Sequence, residues 1–455
     1  MNKEKIKKII SINLVLICIL SIINLSPKSL AVISQNTNKG NITVTNIENG
    51  INVSLYKLAS VEYDYTSNEP KEGYKWNENL QNWLNENMPE YSDSKVFYES
   101  IKSNSEEARK VYDKITSKIK SNEIQIEPYM KKSTDGYKTY PVDEEKLSGK
   151  LKFENVDMGT YLVMLENGYM VYMPTIVNVV PTCNDETKEW ELQDQNVVIK
   201  ATKTSISKTI TDEVKKKDNY SSKDEFTYTI KADVPTYLEN SLSKRYKIID
   251  KMDDSIKLND ESIKIYGIKN GENETIINDY TLNLNTQIAG YGIVAFIVDF
   301  DYSKISKYDT IKIVYSASLV KDGNLIIGKE GNNNYAVLEY ANNPYSKTDY
   351  QIQETPRRKV YTYGMTIESV DKENEKNLLP GSEFNVLGEN GNILYFKKYN
   401  DGVYFQTNSD DQDAVTNVSV DKNGHLYLKG LDEGTYNIKQ AKAPEGYQIS
   451  RKIYQ

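Results

Sequence analysis

Phe226-Thr227-Tyr228-Thr229-Ile230-Lys231-Ala232 places an apolar or aromatic residue at every second position, with polar side chains between. Side chains of an extended strand alternate between two faces, so this period of two predicts a half-buried β-strand. Similar alternation, rich in Val, Ile, Tyr, Thr and Phe and bounded by Gly, Asn and Asp, recurs along the chain. It appears over Asn41–Thr45, Val53–Leu58, Tyr161–Leu165, Ile293–Phe300, Thr310–Leu319, Tyr335–Tyr340, Phe384–Leu387 and Tyr436–Lys439. Many short strands separated by turn signals point to β-sandwiches. One stretch departs from this. From Ser94 to Ile119, Val96, Phe97, Ile101, Ala108, Val111, Tyr112, Ile115 and Ile119 fall at helical spacings, and a shorter helix is predicted around Trp76 to Met88. Both read as an insertion packed on the first sandwich. The fold class is therefore mainly β, with tandem immunoglobulin-like sandwiches and a helical insertion in the first domain.

The N-terminus indicates export. Lys3, Lys5, Lys7 and Lys8 precede an apolar run from Ile9 to Ile23, then Pro27 and Ser29-Leu30-Ala31. A basic segment, an apolar segment and a small-residue cleavage site describe a secretory signal peptide over 1–31. Boundaries are expected near Lys200, where a first domain from Val32 ends, and near Gln353, where a second from Ala201 ends. A third starts at about Thr355, after which the chain runs to Gln455. Contact with the membrane is expected only during export.

Composition narrows the function. The chain is 38% hydrophobic and 27% charged, enough to build cores, and its net charge of −8 argues against nucleic acid. Beyond the signal only Cys183 remains, so an exported protein is left without an internal disulfide and must resist stress by other means. The one histidine, His425, sits beside the turn Asp421-Lys422-Asn423-Gly424 and reads as a hairpin residue. Triads and zinc sites need imidazoles placed against partners, so hydrolase chemistry is largely excluded. Asn408-Ser409-Asp410-Asp411-Gln412-Asp413 lacks the loop glycine and spaced glutamate of a calcium loop and reads as an acidic turn. No metal or cofactor is expected, and no turnover enzyme.

Two strings in the third domain carry a family resemblance. Leu431-Asp432-Glu433-Gly434-Thr435-Tyr436-Asn437-Ile438-Lys439-Gln440-Ala441-Lys442-Ala443-Pro444-Glu445-Gly446-Tyr447 resembles the "E-box" of collagen-adhesin B-type repeats and Gram-positive pilins. Ile367-Glu368-Ser369-Val370-Asp371 and Leu379-Pro380-Gly381-Ser382-Glu383-Phe384 resemble the opening of such repeats. In that family a first-strand Lys is joined to a last-strand Asn or Asp with help from the E-box Glu. Here Ser369 and Gln440 stand at the Lys and Glu positions, so no crosslink is expected within 355–455. The resemblance also implies a further strand and a sorting signal that the sequence does not contain.

The second domain is similar to the crosslink-forming middle domain of sortase-assembled pilus shaft proteins. Ile206-Ser207-Lys208-Thr209-Ile210, Tyr246-Lys247-Ile248-Ile249-Asp250-Lys251-Met252 and the closing Asn334-Tyr335-Ala336-Val337-Leu338-Glu339-Tyr340-Ala341-Asn342-Asn343-Pro344 carry the match. It implies Lys208 as nucleophile, Asn342 as electrophile, with Asn343 the alternative, and Asp250 as the assisting acid of a Lys–Asn isopeptide bond. The chemistry suits these residue types. A lysine attacks only as the free amine, burial favours that form, and the same burial keeps a neighbouring carboxyl protonated. Folding supplies proximity that can offset roughly 7–11 kcal/mol of barrier.

In the first domain, Leu151–Val156, Gly159–Val163 and Tyr172–Thr175 resemble the N-terminal domain of shaft pilins. Met164-Leu165 stand where an E-box Glu belongs, and Glu166 is displaced. Trp190 followed by Val197-Val198-Ile199-Lys200 resembles the pilin motif whose lysine a sortase joins to the next subunit; Lys200 is the match and Lys203 the competitor. The expected function is a structural subunit of a cell-wall pilus. Its expected partners are other pilin subunits, a pilus sortase and host surface or matrix proteins. The alternative is a surface adhesin that binds host matrix directly.

Overall fold

The computed structural model describes residues 33, 38–95, 97, 105–137, 147, 149–211 and 218–455. The signal-peptide reading over 1–31 falls outside them, as do Val96 and Ile101. Among the described residues no helix is long and apolar enough to cross a membrane. Strands dominate, and the chain divides into two compact units. One comprises 1–204, 235–245 and 339–351, the other 205–234, 246–338 and 352–455.

In the first unit, Lys39–Ile47 lies between Gln195–Val198, to which it is parallel, and Gly149–Asp157, to which it is antiparallel. A second sheet runs in the order Glu69–Trp76, Asn52–Asp64, Gly159–Glu166, Thr175–Val179. Alternating residues of both sheets (Ile42, Val44, Val53, Phe153, Tyr161, Val177) fill one core. The predicted helices form as Glu78–Asn87 and Ser105–Lys120. Asn77 caps the first, its side chain accepting from the Asn79 amide, which satisfies one of the otherwise orphaned N–H groups. The second opens on Glu106 and Glu107 and closes on Lys118 and Lys120, the charge order that complements a helix dipole. Phe97 packs edge-on against Trp76, Tyr91 and Tyr112, with ring centroids 5.2, 5.6 and 5.5 Å away. These aromatics and the Ala108, Val111, Ile115 and Ile119 stripe form a second core.

One polar group is buried beside that stripe. Asp113 accepts from the Asn240 backbone N (2.8 Å), Asn240 Nδ2 (2.9 Å) and Tyr345 Oη (2.6 Å). A helix of the insertion thereby holds two segments distant in sequence.

The second unit holds two sandwiches. In the one built from 205–234, 246–338 and 352–360, Ile206–Thr211, Glu225–Asp233, Thr310–Leu319, Ile256–Lys269 and Glu272–Ile276 make one sheet. The other runs Thr281–Ile288, Gly292–Asp299, Tyr246–Met252, Asn332–Tyr340, Gln351–Glu354. In the other sandwich a five-stranded sheet begins with Tyr363–Glu368 and His425–Leu431. It packs on Phe384, Val386, Val418 and Ile438 of a four-stranded sheet, and both sheets supply the core. Gly430 joins the two sandwiches. A Cβ there would lie 2.1 Å from Ser222 Oγ, and the Gly430 carbonyl accepts from the Ser222 amide at 2.8 Å. Its φ of +71° suits glycine.

A corner recurs in two sandwiches. In Asp157-Met158-Gly159-Thr160-Tyr161 and in Asp432-Glu433-Gly434-Thr435-Tyr436 the tyrosine hydroxyl donates to the aspartate's backbone carbonyl, at 2.7 Å in both. This is the type of tether that pins a sandwich corner.

Asp113→Ala is expected to lower the stability of the first unit by about 3 kcal/mol, because it leaves the Tyr345 hydroxyl and Asn240 amide without an acceptor. Tyr345→Phe is expected to cost about 1 kcal/mol. Denaturant unfolding with amide exchange read at Asn240 checks both.

Candidate functional site

Period-two alternation aims a cluster of polar and aromatic side chains into one dry sandwich interior. Ile206–Thr211 supplies Lys208, Glu225–Asp233 supplies Tyr228, and Thr310–Leu319 supplies Tyr315; Tyr228 and Tyr315 stand opposite each other in register. From the facing sheet come Asp250, Phe296 and Asn334. Lys208, Asp250 and Asn334 are each 0% exposed. The Lys208 amine contacts one Asp250 carboxyl oxygen, Oδ2, and lies 2.5 Å from Asn334 Oδ1 and 2.7 Å from the Tyr315 hydroxyl. That hydroxyl donates to Asp250 Oδ2 at 2.7 Å and accepts from Asn334 Nδ2 at 2.9 Å. The Tyr228 and Tyr315 rings lie 4.7 and 5.3 Å from the amine, and Phe296 packs edge-on against Tyr315 at 5.2 Å.

Burial governs the electrostatics. Removal from water pulls the Lys208 pKa down to about 8, even though Asp250 opposes the shift. The same loss of water raises the Asp250 carboxyl above its ordinary value, against the pull of Lys208. Both shifts favour an amine and a carboxylic acid over an ion pair, as expected where desolvation outweighs Coulomb attraction. Asp250 Oδ1 has no hydrogen-bond partner, which a dry interior tolerates better in a neutral acid than in an anion. Free amine, amide carbonyl and acid in contact are the ingredients of an aminolysis.

Of the sequence-predicted residues, the structure brings Lys208 and Asp250 together and does not bring Asn342 or Asn343 to them. Asn342 lies in the first unit and donates through Nδ2 to the Gly168 carbonyl at 2.9 Å; Asn343 Nδ2 donates to Asp349. The amide at Lys208 belongs to Asn334. Asn334, Ala336, Leu338 and Tyr340 are all in phase and buried along Asn332–Tyr340, whereas Asn342 lies past the end of that strand. The signal was available: Asn334 shares the apolar period of its strand, and Tyr315 shares that of Ile311, Ile313 and Ala317.

Lys200 lies between Gln195–Val198 and Ala201–Thr202. Ile199 beside it is buried, the Lys200 carbonyl accepts from the Met173 amide at 2.9 Å, and both Lys200 and Lys203 are partly exposed. In the sandwich after Tyr363, Ser369 and Gln440 meet around Ser382. Ser382 Oγ is 2.7 Å from Ser369 Oγ and accepts from Gln440 Nε2 at 3.3 Å. Gln440 Oε1 accepts from the Ser450 amide at 2.7 Å. In the first unit Leu165 is buried and Glu166 pairs with Lys120 at 2.6 Å. His425 is partly exposed and stacks on Tyr427. Asp411 of the acidic turn accepts from Thr407 Oγ1 and Lys397.

A family model for SpaA, a prealbumin-like fold domain, matches residues 364–455. The trypsin-resistant surface T6 protein of Streptococcus pyogenes serotype M6 is 24% identical over 458 residues, covering 96% of this chain and 75% of that protein. The solved T6 backbone pilin of serotype M6 superposes with a TM-score of 0.63 at 21% identity, over 93% of this chain and 80% of that one. The chain has the fold of a Gram-positive backbone pilin. A second pilin structure, the full-length major pilin SpaD from Corynebacterium diphtheriae, superposes with a TM-score of 0.51 at 18% identity, over 90% of this chain and 89% of that one. In this pilin fold, the Ser369–Ser382–Gln440 contact holds by hydrogen bonds alone. Ser382→Ala is expected to cost about 1–2 kcal/mol in the transition of the prealbumin-like domain, as buried Ser369 and half-buried Gln440 lose their bond. Peptide mapping of 355–455 is expected to find only linear peptides there.

Proposed function

We propose that this chain is a structural subunit of a covalent cell-surface pilus, braced by an isopeptide bond between Lys208 Nζ and Asn334 Cγ. The reading rests on one observation: an amine, an amide and an acid in mutual contact with no access to water. The amine attacks the amide carbon, Asp250 assists as the acid, and ammonia leaves. The event happens once per molecule and is maturation rather than turnover. It would staple the two sheets of the sandwich, since Lys208 and Asn334 come from opposite ones. Export as a signal-bearing precursor and division near Lys200 and Gln353 into three domains belong to the same reading. So does polymerisation by a pilus sortase through Lys200, with neighbouring subunits as the covalent partners.

Intact mass of the signal-free chain is expected to be one ammonia below its sequence mass. Lys208→Ala and Asn334→Ala should restore the full mass, and Asn342→Ala should leave the deficit. A variant retaining the deficit without Asn334 would overturn the pairing. Lys208 and Asn334 are 126 residues apart, so losing the bond should cost about 4–5 kcal/mol by the loop-entropy account of a crosslink.

Bond formation in newly made protein should depend on pH with a definite sign. Below about 8 the amine holds its proton and cannot attack, so the rate rises with pH towards that value, and it falls again where Asp250 gives up the proton it needs to act as the acid. In a sortase reconstitution, Lys200→Ala should abolish polymer ladders that Lys203→Ala leaves intact; the reverse pattern would move the linkage to Lys203.

A further inference from the structure

Three hydrogen bonds converge on one hydroxyl in the second unit. The Tyr315 oxygen is 2.7 Å from Lys208 Nζ, 2.9 Å from Asn334 Nδ2 and 2.7 Å from Asp250 Oδ2. It therefore touches the nitrogen that would gain a bond to carbon and the nitrogen that would lose one. Building on the Lys208–Asn334 reading, we propose that Tyr315 is a catalytic residue of crosslink formation, relaying a proton from the attacking to the departing nitrogen.

The need for such a relay follows from atom balance. A neutral Lys208 amine carries two protons and the Asn334 amide nitrogen carries two. The products are a secondary amide with one N–H and ammonia with three, so one proton must pass from Nζ to Nδ2. When Nζ bonds to Cγ it becomes cationic and acidic. As the C–Nδ2 bond breaks, that nitrogen becomes basic. Among the described residues no solvent path reaches either atom, because Lys208 and Asn334 are fully buried. Tyr315 can accept the Nζ proton while its own phenolic proton turns from Asp250 to Nδ2. The phenol ends as it began, and Asp250 is free to polarise the amide carbonyl. Burial and the adjacent Asp250 raise the Tyr315 pKa well above its ordinary value, so the hydroxyl stays protonated and can give as well as take.

The ring is held for this task. Phe296 packs edge-on against it and Tyr228 lies 5.4 Å away, so a phenylalanine at 315 keeps the packing and removes only the oxygen. The experiment follows the intact mass of the full chain during cell-free synthesis, for wild type and for Tyr315→Phe. Tyr315→Phe is expected to slow ammonia loss about 10²–10⁴-fold, the usual span for a positioned acid–base group. The pH at which the rate rises should stay unchanged, and the solvent deuterium isotope effect should differ from that of wild type.

A second variant, carrying 2,3-difluorotyrosine at 315, retains ring and hydroxyl but makes the phenol more acidic. Its rate should shift from wild type if the hydroxyl transfers a proton. Tyr315→Phe forming the bond at the wild-type rate would overturn the relay. So would a slow Tyr315→Phe beside a difluorotyrosine chain of unaltered rate, since the hydroxyl would then only position the amine. A wild-type chain at its full sequence mass would instead sink the crosslink itself, and the relay with it.

Discussion

A lysine amine with no access to water is the constraint around which the middle sandwich is arranged. Lys208 is enclosed by Tyr228 and Tyr315 from its own sheet, and by Asp250 and Asn334 from the facing sheet. A charged ammonium there would lose far more solvation than one carboxylate returns, which is why both groups are driven toward neutrality. The uncrosslinked site is therefore costly however its protons are distributed. Neutral groups sit there with an orphaned acid oxygen, and charged ones with a desolvation penalty. Amide formation would remove the ionisable amine altogether, so the same burial that makes the precursor costly would drive it to product.

The proposed crosslink also bears on how an exported chain is braced. Cys183 is exposed, and no cystine is found among the described residues. Small secreted domains ordinarily restrict the unfolded chain with cystines. A bond from Lys208 to Asn334 would close a longer loop than most disulfides and would tie one sheet to the other, a topology that also resists shear between the sheets. Unlike a disulfide, an amide is indifferent to the redox state of its surroundings. The hydrogen-bonded clamp at Asp113 acts differently, gathering separate segments onto a helix without covalent chemistry.

Much of this was legible in the alternation of the sequence. The strand pattern around Tyr228, the helical stripe from Ala108 to Ile119 and the pairing of Lys208 with Asp250 are all visible as periodicity or motif. The closing string points to Asn342, and phase does not separate the two amides, because Asn334 and Asn342 lie an even number of residues apart. The end of the strand at Tyr340 does: Asn334 lies within it beside Ala336 and Leu338, and Asn342 lies beyond it. Tyr315 is hidden from the sequence in another way. In an alternating strand an aromatic reads as core filler, and only the facing sheet shows that its hydroxyl end meets an amine, an amide and an acid. Grouping of 235–245 and 339–351 with the first unit depends on long-range contacts that no local pattern encodes.

The recurring corner shows that the sandwich does not require this chemistry. Asp157 to Tyr161 and Asp432 to Tyr436 build the same tether, with the same hydroxyl-to-carbonyl distance. Downstream of it, one sandwich places buried Leu165 and the other places Gln440 against Ser382. At that position the first sandwich carries an apolar side chain and the other a neutral amide, and neither can act as the acid that Asp250 places against Lys208. Among the described residues only the middle sandwich assembles amine, amide, acid and phenol in one dry space, so the chemistry proposed for it would come from four inward-facing side chains rather than from the architecture they share.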